Sequence, residues 1–108
     1  MPSMPNEPVP DMRRATRFPV DFKTICETRK DGEVSANISN VSAHGCQIVH
    51  DVTLNKGDRV IVRLPVAGRI EAFLVWTHGG RSGFEFERVI RESDFMAMLD
   101  KMGHSQRS

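Results

Sequence analysis

The sequence predicts a mainly all-β fold: a six-stranded antiparallel β-barrel with one C-terminal α-helix. Six short segments alternate apolar and polar residues with a period of two, which is typical of half-buried strands. Dipeptides such as Asp31-Gly32 and Gly79-Gly80 provide tight hairpin turns between segments. The apolar spacing changes to a helical period near residue 92. Many short strands with tight turns favour a closed or nearly closed barrel.

The strand predictions follow the alternation of apolar residues along the chain. The predicted strands are Val20–Thr28, Glu33–Ile38, Cys46–His50, Arg59–Leu64, Arg69–His78 and Ser82–Glu87. Four aromatic side chains occupy the apolar faces of their strands and are expected to point into the barrel: Phe22, Trp76, Phe84 and Phe86.

The predicted helix covers residues 92–102 and packs on the barrel. Either Glu92 or Ser93 begins it, Lys101 suits its last turn, and Gly103 ends it. Its apolar residues recur at helical spacing, namely Phe95, Met98, Leu99 and Met102. Such a stripe predicts a core-facing surface that covers one barrel opening or packs on the outside.

Length and composition predict one domain with two tails. A chain of 108 residues fits a single domain. Residues 1–11 contain four of the six prolines and few apolar residues, which predicts a disordered tail. The domain is expected at 12–102, with an arginine-rich arm at 12–18, the barrel at 20–87 and the helix at 92–102. Residues 103–108 form a polar, flexible tail.

Charge and hydropathy exclude several classes of function. A net charge of +1 argues against nucleic acid as a partner, since nucleic-acid-binding domains are usually strongly basic. No apolar run approaches the roughly 18 residues of a membrane span, so no membrane insertion is expected. The N-terminus lacks the layout of a signal peptide, which predicts a cytoplasmic protein. Cys26 and Cys46 have neither CxxC nor metal spacing and are interpreted as reduced core thiols.

The sequence also argues against catalysis and metal binding. The histidines His44, His50, His78 and His104 share no ligand spacing, so no metal site is predicted. No nucleophile elbow, P-loop or dinucleotide glycine fingerprint is present. A protein that is not an enzyme and carries no cofactor is therefore expected.

Three arginines lie within five residues just before the first predicted strand. Arg13, Arg14 and Arg17 offer three guanidinium groups, which can bind phosphate or guanine bidentately and can stack on a base. A basic cluster alone more often indicates a solvated arm. Its meaning therefore depends on what else the chain contains.

A second short motif, Asn40-Val41-Ser42-Ala43-His44-Gly45, follows the second predicted strand. The Asn40 amide both donates and accepts hydrogen bonds, and Ser42 adds a small donor and acceptor. Gly45 permits a positive φ or a close backbone approach. Alone, this pattern predicts an ordinary turn, and His44 is interpreted as a surface or site-rim residue.

Taken together, RxxxR at Arg13 and Arg17 and [D/N]xSxxG at Asn40, Ser42 and Gly45 resemble the signature of PilZ domains. These domains are bacterial receptors for the second messenger cyclic di-GMP. The resemblance covers about residues 12–102 and includes the glycine-rich hairpin after Trp76. It implies a six-stranded barrel of PilZ type with a C-terminal helix.

The resemblance also implies a ligand and a set of binding residues. The implied cyclic di-GMP-binding residues are Arg13, Arg14, Arg17, Asn40, Ser42 and Gly45. The implied function is a receptor or adaptor that changes conformation on binding and signals to a protein partner. A monomer is expected, and binding of one ligand or of a stacked pair both remain open.

Two alternatives stay open at the level of sequence. One is a protein-interaction module of PilZ type that no longer depends on ligand. The other is a nucleic-acid-binding barrel, which would present exposed aromatic residues for base stacking. The inward positions expected for the aromatic residues argue against the second alternative.

Overall fold

The computed structural model describes residues 16–103. The predicted N-terminal tail, Arg13, Arg14 and residues 104–108 lie outside this range. The described residues form six strands and one helix: β1 (Phe18–Thr28), β2 (Gly32–Val41), β3 (Gly45–Val49), β4 (Arg59–Leu64), β5 (Gly68–His78), β6 (Arg81–Phe86) and α1 (Glu92–Lys101).

The strands close into an antiparallel barrel in the order β1-β2-β3-β6-β5-β4. Four neighbouring pairs are joined by hairpin turns or short loops, while β6 inserts between β3 and β5, and β4 closes the ring against β1. Every strand therefore has a paired neighbour on both sides, although β1 meets β4 only at Cys26, Glu27 and Thr28. The predicted six-stranded barrel with a C-terminal helix is confirmed.

The first two strands are longer than the alternation predicts. β1 begins at Phe18 and includes Pro19, because a register shift between Pro19 and Phe22 accommodates a residue that has no N–H to donate. Phe18 therefore belongs to the barrel and not to the arm. β2 continues through Asn40 to Val41, so the predicted turn at Asn40–Gly45 shortens to residues 42–44.

A bulge in β5 makes the predicted inward position of Trp76 wrong. Leu74 pairs with Phe84 but Trp76 pairs with Gly83, so β5 contains one extra residue between these positions. Because side chains alternate with a period of two, the extra residue turns Trp76 to the outside. Trp76 is 41% exposed, whereas Phe84 is buried as predicted.

The core fills the barrel and continues under the helix. Its buried members include residues of all six strands, and Phe22 packs against them from β1. α1 contributes Phe95, Met98 and Leu99, and Met102 follows at its end, which confirms the predicted helical stripe. The rings of Phe18 and Phe95 lie 5.6 Å apart, so the helix also contacts the start of β1.

Two backbone hydrogen bonds join the β2–β3 turn to the end of β6 and to the segment before the helix. The backbone N–H of Ile90 donates to the carbonyl oxygen of Ala43 at 2.9 Å. The N–H of Phe86 likewise donates to the carbonyl of His44 at 2.8 Å. The turn that carries the second motif therefore lies beside both β6 and the approach to α1. In residues 16–103 no helix has the length and hydropathy needed to cross a membrane.

Candidate functional site

The strand register aligns four residues of four different strands across the outside of the barrel. Asn40 of β2 pairs with Gln47 of β3, Gln47 pairs with Gly83 of β6, and Gly83 pairs with Trp76 of β5. We call these four residues the outer row. It joins the second sequence motif to the only tryptophan of the chain.

Arg17 reaches the outer row and bonds to it. Its Nη1 donates to Asn40 Oδ1 at 2.8 Å. The Asn40 amide nitrogen in turn donates to Gln47 Oε1 in a short hydrogen bond. Three side chains from the barrel entry, β2 and β3 thus form one hydrogen-bonded chain, with Arg17 exposed to solvent.

Arg17, at the exposed end of this series of hydrogen bonds, still has donors that no side chain of the series uses. A guanidinium carries five N–H donors, and one of them is used on Asn40. Among residues 16–103 no carboxylate pairs with Arg17, whereas Arg59, Arg63 and Arg69 on the opposite side all pair with glutamates. Arg17 can therefore bind an anion without first breaking an ion pair of the described structure.

Ser42 and Gly45 build the turn beneath the row. Ser42 is only 2% exposed, and its hydroxyl accepts the backbone N–H groups of His44 at 3.1 Å and Gly45 at 3.2 Å. A Cβ on Gly45 would lie 2.1 Å from the carbonyl oxygen of Phe84, so only glycine permits this approach of β3 to β6. Both residues hold the backbone that carries Asn40, and direct ligand contacts for them stay a prediction.

Trp76 lies against Gly83 at the far end of the row. A Cβ on Gly83 would fall 2.1 Å from Trp76 Nε1 and within 2.7 Å of two further indole atoms. The indole therefore packs across the glycine and still leaves part of its surface to solvent. An aromatic face beside amide and guanidinium groups suits a planar base.

The structure thus brings Arg17 and Asn40 together and places Ser42 and Gly45 under them. It adds three residues of the outer row that the sequence did not predict as part of the site, namely Gln47, Gly83 and Trp76. Gln47 could have been found from its polar position two residues after Gly45 in an apolar strand. Trp76 could not, because the bulge that exposes it leaves no mark in the alternation. Gly83 gave a partial signal, since glycine inside a strand often marks a close approach.

Two concavities lie away from the outer row. A cleft of about 850 Å³ is lined by the β1–β2 turn and the loop before β4, including Arg29, Lys30 and Asn55. A groove of about 550 Å³ lies on β1, β2 and β3. The part of the chain that the structure describes contains no cluster of three or more His, Cys, Asp or Glu side chains that could hold a metal ion.

Comparisons with known proteins agree with this architecture. The family model for the PilZ domain matches residues 11–101. The PilZ domain of CeSA from a cellulose-synthesizing bacterium superposes with a TM-score of 0.58 at 14% identity, covering 82% of this chain and 96% of that one. No curated protein matches the sequence significantly. PilZ domains are binding modules, generally for cyclic di-GMP. The chain belongs to the PilZ domain family.

Proposed function

We propose that this protein is a cyclic di-GMP receptor that binds the ligand on the outer row and transmits binding to a protein partner. The observation that carries the proposal is the chain Arg17–Asn40–Gln47, which lies in register with an exposed tryptophan. The ligand offers two phosphates and two guanines. The row offers a guanidinium fork, two amides and an aromatic face, which match these groups in kind.

Each residue has a role that follows from its chemistry. Arg17 binds a phosphate or the O6 and N7 atoms of guanine, because a guanidinium fits both bidentately. The amides of Asn40 and Gln47 bind base-edge groups, since each can donate and accept. Trp76 stacks on a base, and Ser42 and Gly45 fix the turn. Arg13 and Arg14, which precede the described residues, are proposed to add further phosphate contacts.

The signal is proposed to travel through the arm. Arg17 is followed directly by Phe18, whose ring contacts Phe95 of α1. A ligand that recruits Arg17 from Asn40 repositions the entry of β1 and the helix surface next to it. Ordering residues of the arm costs roughly 1–2 kcal/mol per residue in backbone entropy, so the new phosphate contacts must exceed this cost.

Calorimetry with purified protein tests the proposal. We expect cyclic di-GMP to bind and GTP or the linear dinucleotide to bind much more weakly. Arg17→Ala should lose about 1.5–3 kcal/mol of binding free energy, the scale of hydrogen bonds to charged groups. Arg17→Lys should restore only part of it, because an ammonium lacks the planar fork.

Arg29→Ala is the matched control. It removes the same charge from an exposed arginine that lines the distant cleft, so binding should be unchanged. The absence of heat and of chemical-shift changes at high micromolar cyclic di-GMP would contradict the proposal.

The exposure of Trp76 is the one observation that favours a second candidate function, binding of single-stranded nucleic acid. A solvent-exposed aromatic on a barrel strand can stack on the bases of single-stranded nucleic acid. Against it stand the net charge of +1 and the burial of Phe84 and Phe86. Titration with a single-stranded oligonucleotide in the same calorimeter separates the two functions, and we expect no binding.

A further inference from the structure

A second set of outward-facing residues lies beside the outer row on three of its strands. Val49 of β3 pairs with Arg81 of β6, and Arg81 pairs with His78 of β5. Each of the three lies two residues along its strand from a member of the outer row, so all of them point to the same side of the barrel. All three are exposed, and we call them the second row.

Arg81 is the only arginine or lysine in the two rows, and neither row contains a carboxylate. In the part of the chain that the structure describes, no ion pair or hydrogen bond engages its side chain, whereas Arg59, Arg63 and Arg69 are all paired with glutamates. The five N–H donors of the Arg81 guanidinium are therefore available to an anion without the loss of an existing contact.

Hydrogen bonds to β5 and to the end of β3 fix the backbone around Arg81. Thr77 Oγ1 donates to the carbonyl oxygen of Arg81 at 3.3 Å. The N–H of His50 donates to the carbonyl oxygen of Gly80 at 2.9 Å, which joins the β5–β6 turn to the residue after β3. The Arg81 side chain therefore extends into solvent from a backbone that is held on both sides.

The two rows place Arg81 and Arg17 at different ends of the candidate site. Neighbouring strands lie about 4.8 Å apart, and each strand residue rises about 3.3 Å. The Cα atom of Arg81 therefore lies on the order of 8 Å from that of Trp76 and on the order of 12 Å from that of Asn40, to which Arg17 is bonded. Two arginines separated in this way fit a ligand that carries two phosphates.

Opposite charges on β6 indicate where a phosphate lies relative to the tryptophan. Arg81 precedes Gly83 by two residues and Glu85 follows it by two, so both exposed side chains flank the glycine on the outer face. The indole of Trp76 packs across that glycine, between them. Glu85 repels a phosphate and Arg81 attracts it. A nucleotide whose base stacks on Trp76 therefore places its phosphate on the side of Arg81.

We propose that Arg81 binds one of the two phosphates of cyclic di-GMP, beside the base that stacks on Trp76, while Arg17 contacts the other end of the ligand. The inference rests on the proposed function and adds to it a binding residue that lies outside both sequence motifs. The separation of the two arginines selects a ligand with two phosphates, and the charge difference along β6 sets the orientation of that ligand.

Calorimetry with Arg81→Ala measures this contact. Cyclic di-GMP binding should weaken by about tenfold or more, the scale of a hydrogen bond to a charged group. The melting temperature of the ligand-free protein should stay unchanged, because the side chain has no partner in the described structure. Arg81→Lys should recover part of the affinity, since it keeps the charge but loses the planar fork. Arg88→Ala is the matched control, an exposed arginine beyond the end of β6 that belongs to neither row, and it should bind like wild type.

A double variant and phosphorus spectra test whether the two arginines act at different places on the ligand. The losses of Arg17→Ala and Arg81→Ala should multiply in the double variant, as expected for contacts more than about 7–10 Å apart. In ³¹P spectra of the bound ligand, Arg81→Ala should shift a phosphate signal that Arg88→Ala leaves in place.

The outcomes separate this subsite from the proposed function. If cyclic di-GMP binds to wild-type protein but Arg81→Ala keeps the wild-type affinity and phosphate signals, the subsite is refuted and the proposed function stands. A double variant that binds no more weakly than Arg17→Ala alone likewise refutes a separate contact at Arg81. If cyclic di-GMP does not bind to wild-type protein at all, both proposals are refuted.

Discussion

At the scale of single residues, two glycines determine where backbone and side chains can approach each other. The carbonyl oxygen of Phe84 packs against Gly45, and the indole of Trp76 packs against Gly83. In both places a Cβ atom on the glycine would overlap the neighbouring group. The sequence motif identifies Gly45 but gives it a ligand-side role. Gly83 stands in a strand where glycine is otherwise unfavourable, which marks it as functionally or structurally constrained.

Gly83→Ala tests the placement of the tryptophan. The added methyl group overlaps the indole, so Trp76 must rotate outward while the barrel strands remain paired. We expect increased solvent exposure of the single tryptophan, seen as a red-shifted emission, and cyclic di-GMP binding weakened by about 1–3 kcal/mol, the scale of base–aromatic stacking. Unchanged emission together with unchanged affinity would show that Trp76 is not held by Gly83 and does not bind ligand.

Glu27 pairs with two arginines on the side of the barrel opposite the outer row. Its carboxylate accepts from Arg63 Nε at 2.9 Å and from Arg69 Nε and Nη2 at 3.0 and 2.8 Å. Hydrogen bonds from Arg69 and Arg63 lower the pKa of Glu27 from 4.5 to about 2. Because the folded-state pKa lies below the ordinary value, the stabilisation is complete above about pH 4.5 and is lost as the pH falls toward 2.

Glu27→Gln should therefore flatten the acid side of the stability profile. Denaturant unfolding between pH 2 and 7 should show wild-type stability falling below about pH 4.5, whereas the variant should start lower at neutral pH and fall less. Glu85→Gln, an exposed glutamate of β6, is the control and should keep the wild-type slope. Parallel profiles for wild type and Glu27→Gln would contradict this account.

At the scale of elements, the periodicity of apolar residues predicts that a strand or helix exists, and which of the two it is, better than it predicts the residues at which the element begins and ends. The period of two predicts all six strands, and the helical period of α1 predicts its buried face, because both patterns reflect which side meets the core. Bulges interrupt that relation. The register shifts between Ile38 and Asn40 and between Leu74 and Trp76 add single residues without any compositional mark, whereas the shift after Pro19 is marked by the proline itself.

The contact between Phe18 and Phe95 joins the start of β1, directly after the arginine-rich arm, to the helix, and a double-mutant cycle measures its energy. Phe18→Leu and Phe95→Leu should each destabilise the protein, and their coupling should be about 0.5–1.5 kcal/mol, the range for aromatic pairs. Guanidinium unfolding of the four proteins gives the coupling. A value indistinguishable from zero would mean that the helix and the start of β1 are energetically independent, which would remove the proposed route of the signal.

At the scale of the whole molecule, the site depends on the barrel order. Gln47, Gly83 and Trp76 come from strands that become neighbours only because β6 lies between β3 and β5. The motifs Arg13–Arg17 and Asn40–Gly45 identified the family and the β2–β3 side of the site. The tryptophan side of the candidate site could not be predicted, because it requires a long-range register that no local pattern encodes.

The closed ring also predicts how the molecule opens. Cys26 of β1 and Cys46 of β3 are both buried and unbonded to each other. Burial raises the pKa of Cys26 to about 11 and raises that of Cys46 as well, so neither thiol forms the reactive thiolate readily while folded. Since the strands form a closed ring, we expect exposure of either thiol to require opening of the barrel.

Single-thiol proteins, Cys26→Ala and Cys46→Ala, test this cooperativity. At pH 8, with a thiol reagent that reacts more slowly than the protein refolds, the labelling rate of either remaining thiol should follow the population of the globally unfolded state. The opening free energy and its dependence on denaturant should therefore equal those of equilibrium unfolding for both proteins. A shallow denaturant dependence for Cys26 alone would reveal local opening of β1, the strand that begins at the ligand arm, and would show that the barrel is least cooperative where the ligand is proposed to act.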